Sequence, residues 1–132
     1  MKKVKLLLIS TILLLTACTD KEKGKLDNRV KDYWTAKINQ DFKTAYQFLS
    51  PGWKQNESQE SFTMRMKASR VKWLTVKLEK KECVQIDLCK VYVNIGYEYK
   101  FGGAISNTIS IESIVKENWI LKENVWYNVP EK

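Results

Sequence analysis

The residues able to do chemistry are few, and one absence narrows the field. The chain has no histidine. That removes imidazole bases, Ser-His and Cys-His dyads, and the commonest transition-metal ligand. The sequence carries no Gly-rich phosphate loop and no metal-ligand spacing, so neither a cofactor nor a metal is expected. Of the three cysteines, Cys83 and Cys89 flank the short run Val84-Gln85-Ile86-Asp87-Leu88 between two strand-like segments. Their spacing is not Cys-x-x-Cys, so a structural disulfide is expected rather than a redox pair. One carboxylate, Glu117, falls on the apolar parity of a long strand. Facing an apolar pocket, it would have a raised pKa and could act as a general base. The plainer expectation is that Lys116-Glu117-Asn118 forms a bulge or strand break and turns the carboxylate to solvent. Tyr33, Trp34, Tyr46, Tyr97 and Tyr99 are candidates to line a ligand pocket. Their plainer role is to pack helix on sheet with hydroxyls at the edge. Trp53, after a Pro-Gly stop, is expected to rim an opening.

A disulfide needs an oxidising compartment, and the start of the chain supplies an address. The basic opening Met1-Lys2-Lys3-Val4-Lys5 precedes an apolar run from Leu6 to Leu15. This is the order of a bacterial secretory signal. The run is too short for a membrane span, which takes about 20 apolar residues. Leu15-Thr16-Ala17-Cys18 resembles the box of a lipoprotein signal: Leu, a small residue, Ala or Gly, then Cys. The resemblance implies cleavage before Cys18 and acyl chains, such as palmitate, on that cysteine. Several chains anchor where one does not, at about 0.8 kcal/mol per buried methylene. Thr19 follows. In Gram-negative envelopes an Asp there holds a lipoprotein at the inner membrane, so its absence points to the outer membrane, facing the periplasm.

Without residues 1–17 the chain is one domain of common size. Loss of Lys2, Lys3 and Lys5 lowers the formal charge from +8 to +5. A basic surface can meet nucleic acid, acidic lipid head groups or anionic wall polymers. Export and the lack of a nucleic-acid motif exclude the first, leaving solubility and attraction to an anionic membrane. Residues 18–28, highly charged, read as the lipidated cysteine and a flexible tether. Residues 29–130 read as the domain.

Positioning elements follow from periodicity. Val30, Tyr33, Trp34 and Ile38 share one helix face, with the N-cap near Asp27 or Asn28. Asn39-Gln40-Asp41 breaks that helix. Asp41 then caps a second, with Phe42, Ala45, Tyr46 and Leu49 on its apolar face, ended by Ser50-Pro51-Gly52. A third runs from Ser58 to Ser69. The period then becomes two. Leu74, Val76 and Leu78 mark a first strand, and Val91 to Phe101 the clearest one. Gly102-Gly103 makes a turn. Ile105, Ile109, Ile111, Val115, Trp119 and Leu121 mark a third strand. Glu123-Asn124 turns into a last strand, Val125 to Val129.

Tyr33-Trp34, the run Asn39 to Tyr46 with its Ala45-Tyr46 pair, Leu49-Ser50-Pro51, and the ending Trp119-x-Leu121 with Trp126-Tyr127 and Pro130 resemble nuclear transport factor 2-like domains. Here Asn39-Gln40 stands where Gly is common, and Asn124-Val125 replaces the usual Asp-Gly. The resemblance implies an α+β cone: N-terminal helices packed in a strongly bent antiparallel sheet of about four strands. Enzymes of that superfamily (isomerases, dehydratases, cyclases) use Asp, His or Tyr in the wide end of the cone. No such set transfers to this chain. The expected function is therefore a membrane-anchored envelope lipoprotein, non-catalytic, binding a small apolar ligand or a protein partner. A pocket enzyme using a carboxylate and tyrosines is the alternative, and a structural or assembly lipoprotein a further one. Superfamily members commonly form homodimers through the open sheet face, although no residue here demands it.

Overall fold

The computed structural model describes residues 17–102 and 108–131, with side chains from residue 25 onward. Residues 1–16 of the leader, the side chain of Cys18, and Gly103 and Ile105 lie outside the described residues.

Four helices precede four strands: α1 (Ala17–Ile38), α2 (Phe42–Gln47), α3 (Pro51–Lys54), α4 (Gln59–Lys67), then β1 (Val71–Gln85), β2 (Leu88–Lys100), β3 (Thr108–Lys122) and β4 (Val125–Val129). The strands form one antiparallel meander in sequence order. This is the α+β order expected. No helix among the described residues is long and apolar enough to cross a membrane.

Helix α1 begins earlier than expected. Its start is at Ala17 rather than Asp27 or Asn28, so the backbone of the stretch read as a flexible tether is helical. Leu26 explains the extension. It sits four residues before Val30 and eight before Trp34, continues the same apolar stripe, and is fully buried. Asp27 adds an ion pair to Lys81 on β1. The helix ends as the sequence suggests. Asp41 N–H donates to Ala36 O at 2.8 Å and Gln40 N–H to Lys37 O at 3.1 Å, with Gln40 in the left-handed region at φ 58°. That is the Schellman pattern, with glutamine holding the place glycine usually takes. Asp41 Oδ1 then accepts from Thr44 N–H at 3.2 Å and starts α2. Ser50 ends that segment and caps another, unexpected turn, α3, with Pro51 at its first position.

Strand β1 is longer than the expected Leu74–Leu78 segment and is bulged after Trp73 and after Leu78. The first bulge resets the parity. Trp73 packs inward and Leu74, expected inside, is exposed. It also brings Thr75 against Gly96. The Gly96 N–H donates to Thr75 Oγ1 at 3.1 Å, and a Cβ at Gly96 would overlap that oxygen. Cys83 and Cys89 face each other across β1 and β2 and are disulfide-bonded, so the bridge lies within a hairpin. Glu123 (φ 51°) and Asn124 (φ 61°) form the β3–β4 turn with both central residues at positive φ, as a primed hairpin turn requires.

The core lies between α1 and the inner sheet face. Val30, Trp34, Leu49, Val91, Val93, Trp119 and Trp126 are at most 2% exposed. Segment 48–50 joins the sheet beside β4: Asn128 N–H donates to Phe48 O and Ser50 N–H to Asn128 O, each at 2.8 Å.

Candidate functional site

Helix α1 and strand β3 meet at the centre of the fold. Tyr33, Trp34 and Lys37 project from α1, the last two at adjoining turns of the apolar stripe. Glu117 and Trp119 project from the inner face of β3, two residues apart and so on the same side. Trp73 closes the group from β1. Together they form a chamber filled by their own side chains.

Glu117 corrects the expectation of a solvent-facing carboxylate, because it is 8% exposed. The ladder runs through Lys90↔Asn118, Val91↔Glu117 and Tyr92↔Lys116 without a bulge. The inward parity therefore survives the polar triplet. Glu117 Oε2 accepts from the Trp119 indole N–H at 3.1 Å. Burial pushes the carboxyl's pKa up. Lys37 and the two indoles, Trp119 and Trp34, oppose that rise. The Trp34 N–H does so by proximity, since it makes no hydrogen bond of good geometry.

Lys37 is the residue that sequence reasoning missed. It is 8% exposed. Its Nζ lies 3.6 Å from the Trp34 ring centroid, 4.7 Å from Trp73 and 5.0 Å from Tyr33. Burial lowers its pKa to about 8, against the pull of Glu117. Aromatic faces substitute for part of the lost hydration through cation–π attraction. The signal was present in sequence: Lys37 stands seven residues after Val30, within the apolar stripe, where a lone lysine is out of place. Tyr33 packs edge-on to Trp34 and Trp119, each at 5.9 Å, and burial drives its phenol pKa well above the ordinary value.

The five aromatic candidates do not share one pocket. Tyr33 and Trp34 belong to the chamber. Tyr46 is buried elsewhere, against Phe62, with its hydroxyl donating to Glu57 O at 2.8 Å. Tyr97 packs at the margin of the core, and Tyr99 stacks edge-on with Phe101 at 5.0 Å. Trp53 borders a shallow groove with Pro51, Ile120 and Pro130.

Two recesses flank the chamber. One, of about 270 Å³, is bordered by Tyr33, Glu117, Val115, Asn128 and Pro130. The other, of about 230 Å³, lies at the C-terminal end of α1, with Lys37, Phe42 and Trp73 in its wall. A carboxyl of raised pKa beside a recess is able to exchange a proton with a bound molecule.

No family model matches the sequence, and no curated protein matches it by sequence. Solved structures do match in shape. A candidate dehydratase of the NTF2-like family from Streptomyces avermitilis superposes with a TM-score of 0.58 at 9% identity, over 86% of this chain and 98% of that one. A SEC-C motif containing protein from Rhodopseudomonas palustris superposes with a TM-score of 0.52 at 11% identity, over 74% and 69%. At such identities the likeness is one of fold, and the α+β fold of this chain is NTF2-like.

Proposed function

We propose that this is an exported lipoprotein, anchored through acyl chains on Cys18, whose domain is a binding module rather than an enzyme. The observation that carries the non-catalytic reading is the filled chamber. Tyr33, Trp34, Lys37 and Trp119 occupy the middle of the fold, and Trp34 and Trp119 are at most 2% exposed. The disulfide supports export, since such bonds persist in oxidising compartments. The partner is a ligand held at a recess or an envelope protein.

Labelling with an alkyne analogue of palmitate tests the anchor. The full chain, expressed in a lipidating bacterium, is expected to carry the label and to fractionate with membranes, and Cys18→Ala to lose both. An unlabelled wild-type chain sinks the proposal.

The placement of Glu117 beside Tyr33 at the 270 Å³ recess favours a pocket enzyme as the second reading. A water-soluble carbodiimide separates the two, because it reacts with protonated, accessible carboxyls. Preferential labelling of Glu117 over the exposed carboxyls supports the enzyme, and protection of Glu117 supports the closed chamber.

A further inference from the structure

We propose that the cleft at the C-terminal end of α1 binds a small multivalent anion bearing carboxylate or phosphate groups. Its wall contains five cationic side chains, Lys37, Lys67, Arg70, Lys72 and Lys100, and no carboxylate. They come from four elements or their junctions. Lys37 and Lys67 stand in the last turns of α1 and α4. Arg70 opens β1, Lys72 lies on it, and Lys100 ends β2, its N–H donating to Arg70 O at 3.1 Å. Among the described residues none of the five forms an ion pair.

Helix dipoles explain only part of this cluster. Each helix C-terminus carries roughly half a negative charge, so α1 and α4 together offset about one of the five cations. Glu98 stands opposite Lys72 in the ladder, and Glu117 pulls on Lys37 from the chamber side, so each offsets at most one more. On the order of two positive charges remain around a concave space of about 230 Å³, open enough for an anion of the size of citrate or glycerol phosphate. The cleft is also built rather than merely charged. Lys37 is buried in its wall beside Trp73 and Phe42, and the Arg70 guanidinium is set against Gly102. A concave wall lined by cations recognises an anion by shape and charge, as a flat basic face does not.

The site is independent of the anchor, but α1 relates the two. Asp27 pairs with Lys81 and Lys37 lies over Trp73, so α1 runs antiparallel to β1. Cys18 and Lys37 are 19 positions apart on one helix, about 28 Å by helical rise. The cleft thus opens at the end of the domain away from the lipid.

Isothermal titration of the full oxidised chain with inorganic phosphate, glycerol 3-phosphate and citrate tests the proposal and separates phosphate from carboxylate recognition. Saturable one-site binding of at least one anion is expected at constant ionic strength. Arg70→Gln with Lys100→Gln should weaken it at least tenfold. Lys31→Gln with Lys43→Gln, which removes equal charge outside the cleft, should change it less than twofold. The absence of saturable binding by all three anions overturns the proposal, as does equal weakening by the two variants. Binding of long-chain polyphosphate without any small anion overturns it too, by assigning the face to a polymer. Palmitate labelling of Cys18 is unaffected by either result, so the two proposals fail separately.

Discussion

On the chamber side of Lys37 stand three aromatic faces and a buried carboxylate. On the cleft side stand four further cations and no acid. The chamber meets most of the demands of burying polar groups from within, the Trp34 indole N–H being left without a hydrogen bond of good geometry. Trp119 donates to Glu117, Trp34 and Trp73 face the ammonium, and Glu117 and Lys37 steady each other's charge. The cleft leaves its charge to something outside the chain. A site whose groups satisfy one another is a structural device, and a site whose groups lack partners is a binding device. That difference predicts opposite responses to substitution.

The largest effect is expected at the chamber. Trp119 is fully buried, so Trp119→Ala should cost about 3–5 kcal/mol in urea unfolding. It also removes the hydrogen bond to Glu117 and opens space next to it. A cost under 1 kcal/mol would mean that the chamber is loosely packed and the contrast with the cleft is false.

Lys37 supplies a test by pH. Its folded pKa is about 8, against 10.5 for an ordinary lysine. Below pH 8 both folded and unfolded chains hold the proton, and the penalty for burying the cation is felt in full. Between pH 8 and 10.5 the unfolded chain binds more protons than the folded one, so stability rises with pH. Relative to Lys37→Met, the wild type should gain on the order of 3 kcal/mol across that window. Parallel stability curves for the two proteins would place the ammonium in solvent. Glu117 has the opposite sign. Its raised pKa makes stability fall as pH climbs from the unfolded carboxyl value.

The disulfide borders the chamber, because Cys89 is fully buried and lies opposite Trp119 in the ladder. Replacing both Cys83 and Cys89 by alanine should cost about 2 kcal/mol on the chain-entropy model. The cleft at the other end of the sheet should keep its anion affinity.

The smallest effect on stability is expected in the cleft. Arg70 and Lys100 are exposed, so Arg70→Gln with Lys100→Gln should shift unfolding by less than about 0.5 kcal/mol. A clear gain in stability would sharpen the comparison further, by exposing the cost of assembling like charges without a ligand.

What the sequence made legible was whatever depends on short-range pattern. Asp41 as a cap, the Asn39-Gln40 break, the Glu123-Asn124 turn, the Cys83–Cys89 bridge and the α+β order all follow from residues close together in the chain. Leu26 was read as tether because a single apolar residue among charges carries no periodic signal until Val30 and Trp34 are placed on the same helix. Leu74 was put inside because strict alternation takes no account of the bulge after Trp73. Glu117 was put outside because the cost of burying a carboxylate was counted without Trp119 and Lys37, whose contributions exist only after folding. The cleft was illegible for the same reason, since its five cations span Lys37 to Lys100.

The bridge between segment 48–50 and Asn128 has a consequence for assembly. It uses the backbone groups of Asn128 that β4, the last strand of the meander, would otherwise present to a neighbour. At the opposite margin, β1 is interrupted by its bulges and carries Lys72, Lys77, Lys80 and Lys81. Beside β4, however, β3 runs on: β4 covers only its residues 118–122, and residues 108–117 of β3 have no strand beyond them among the described residues, which leaves the row of N–H and C=O groups that templating by another strand requires. A strand that lengthened this sheet would therefore meet residues 108–117 of β3, and not Asn128 of β4 or the bulged β1.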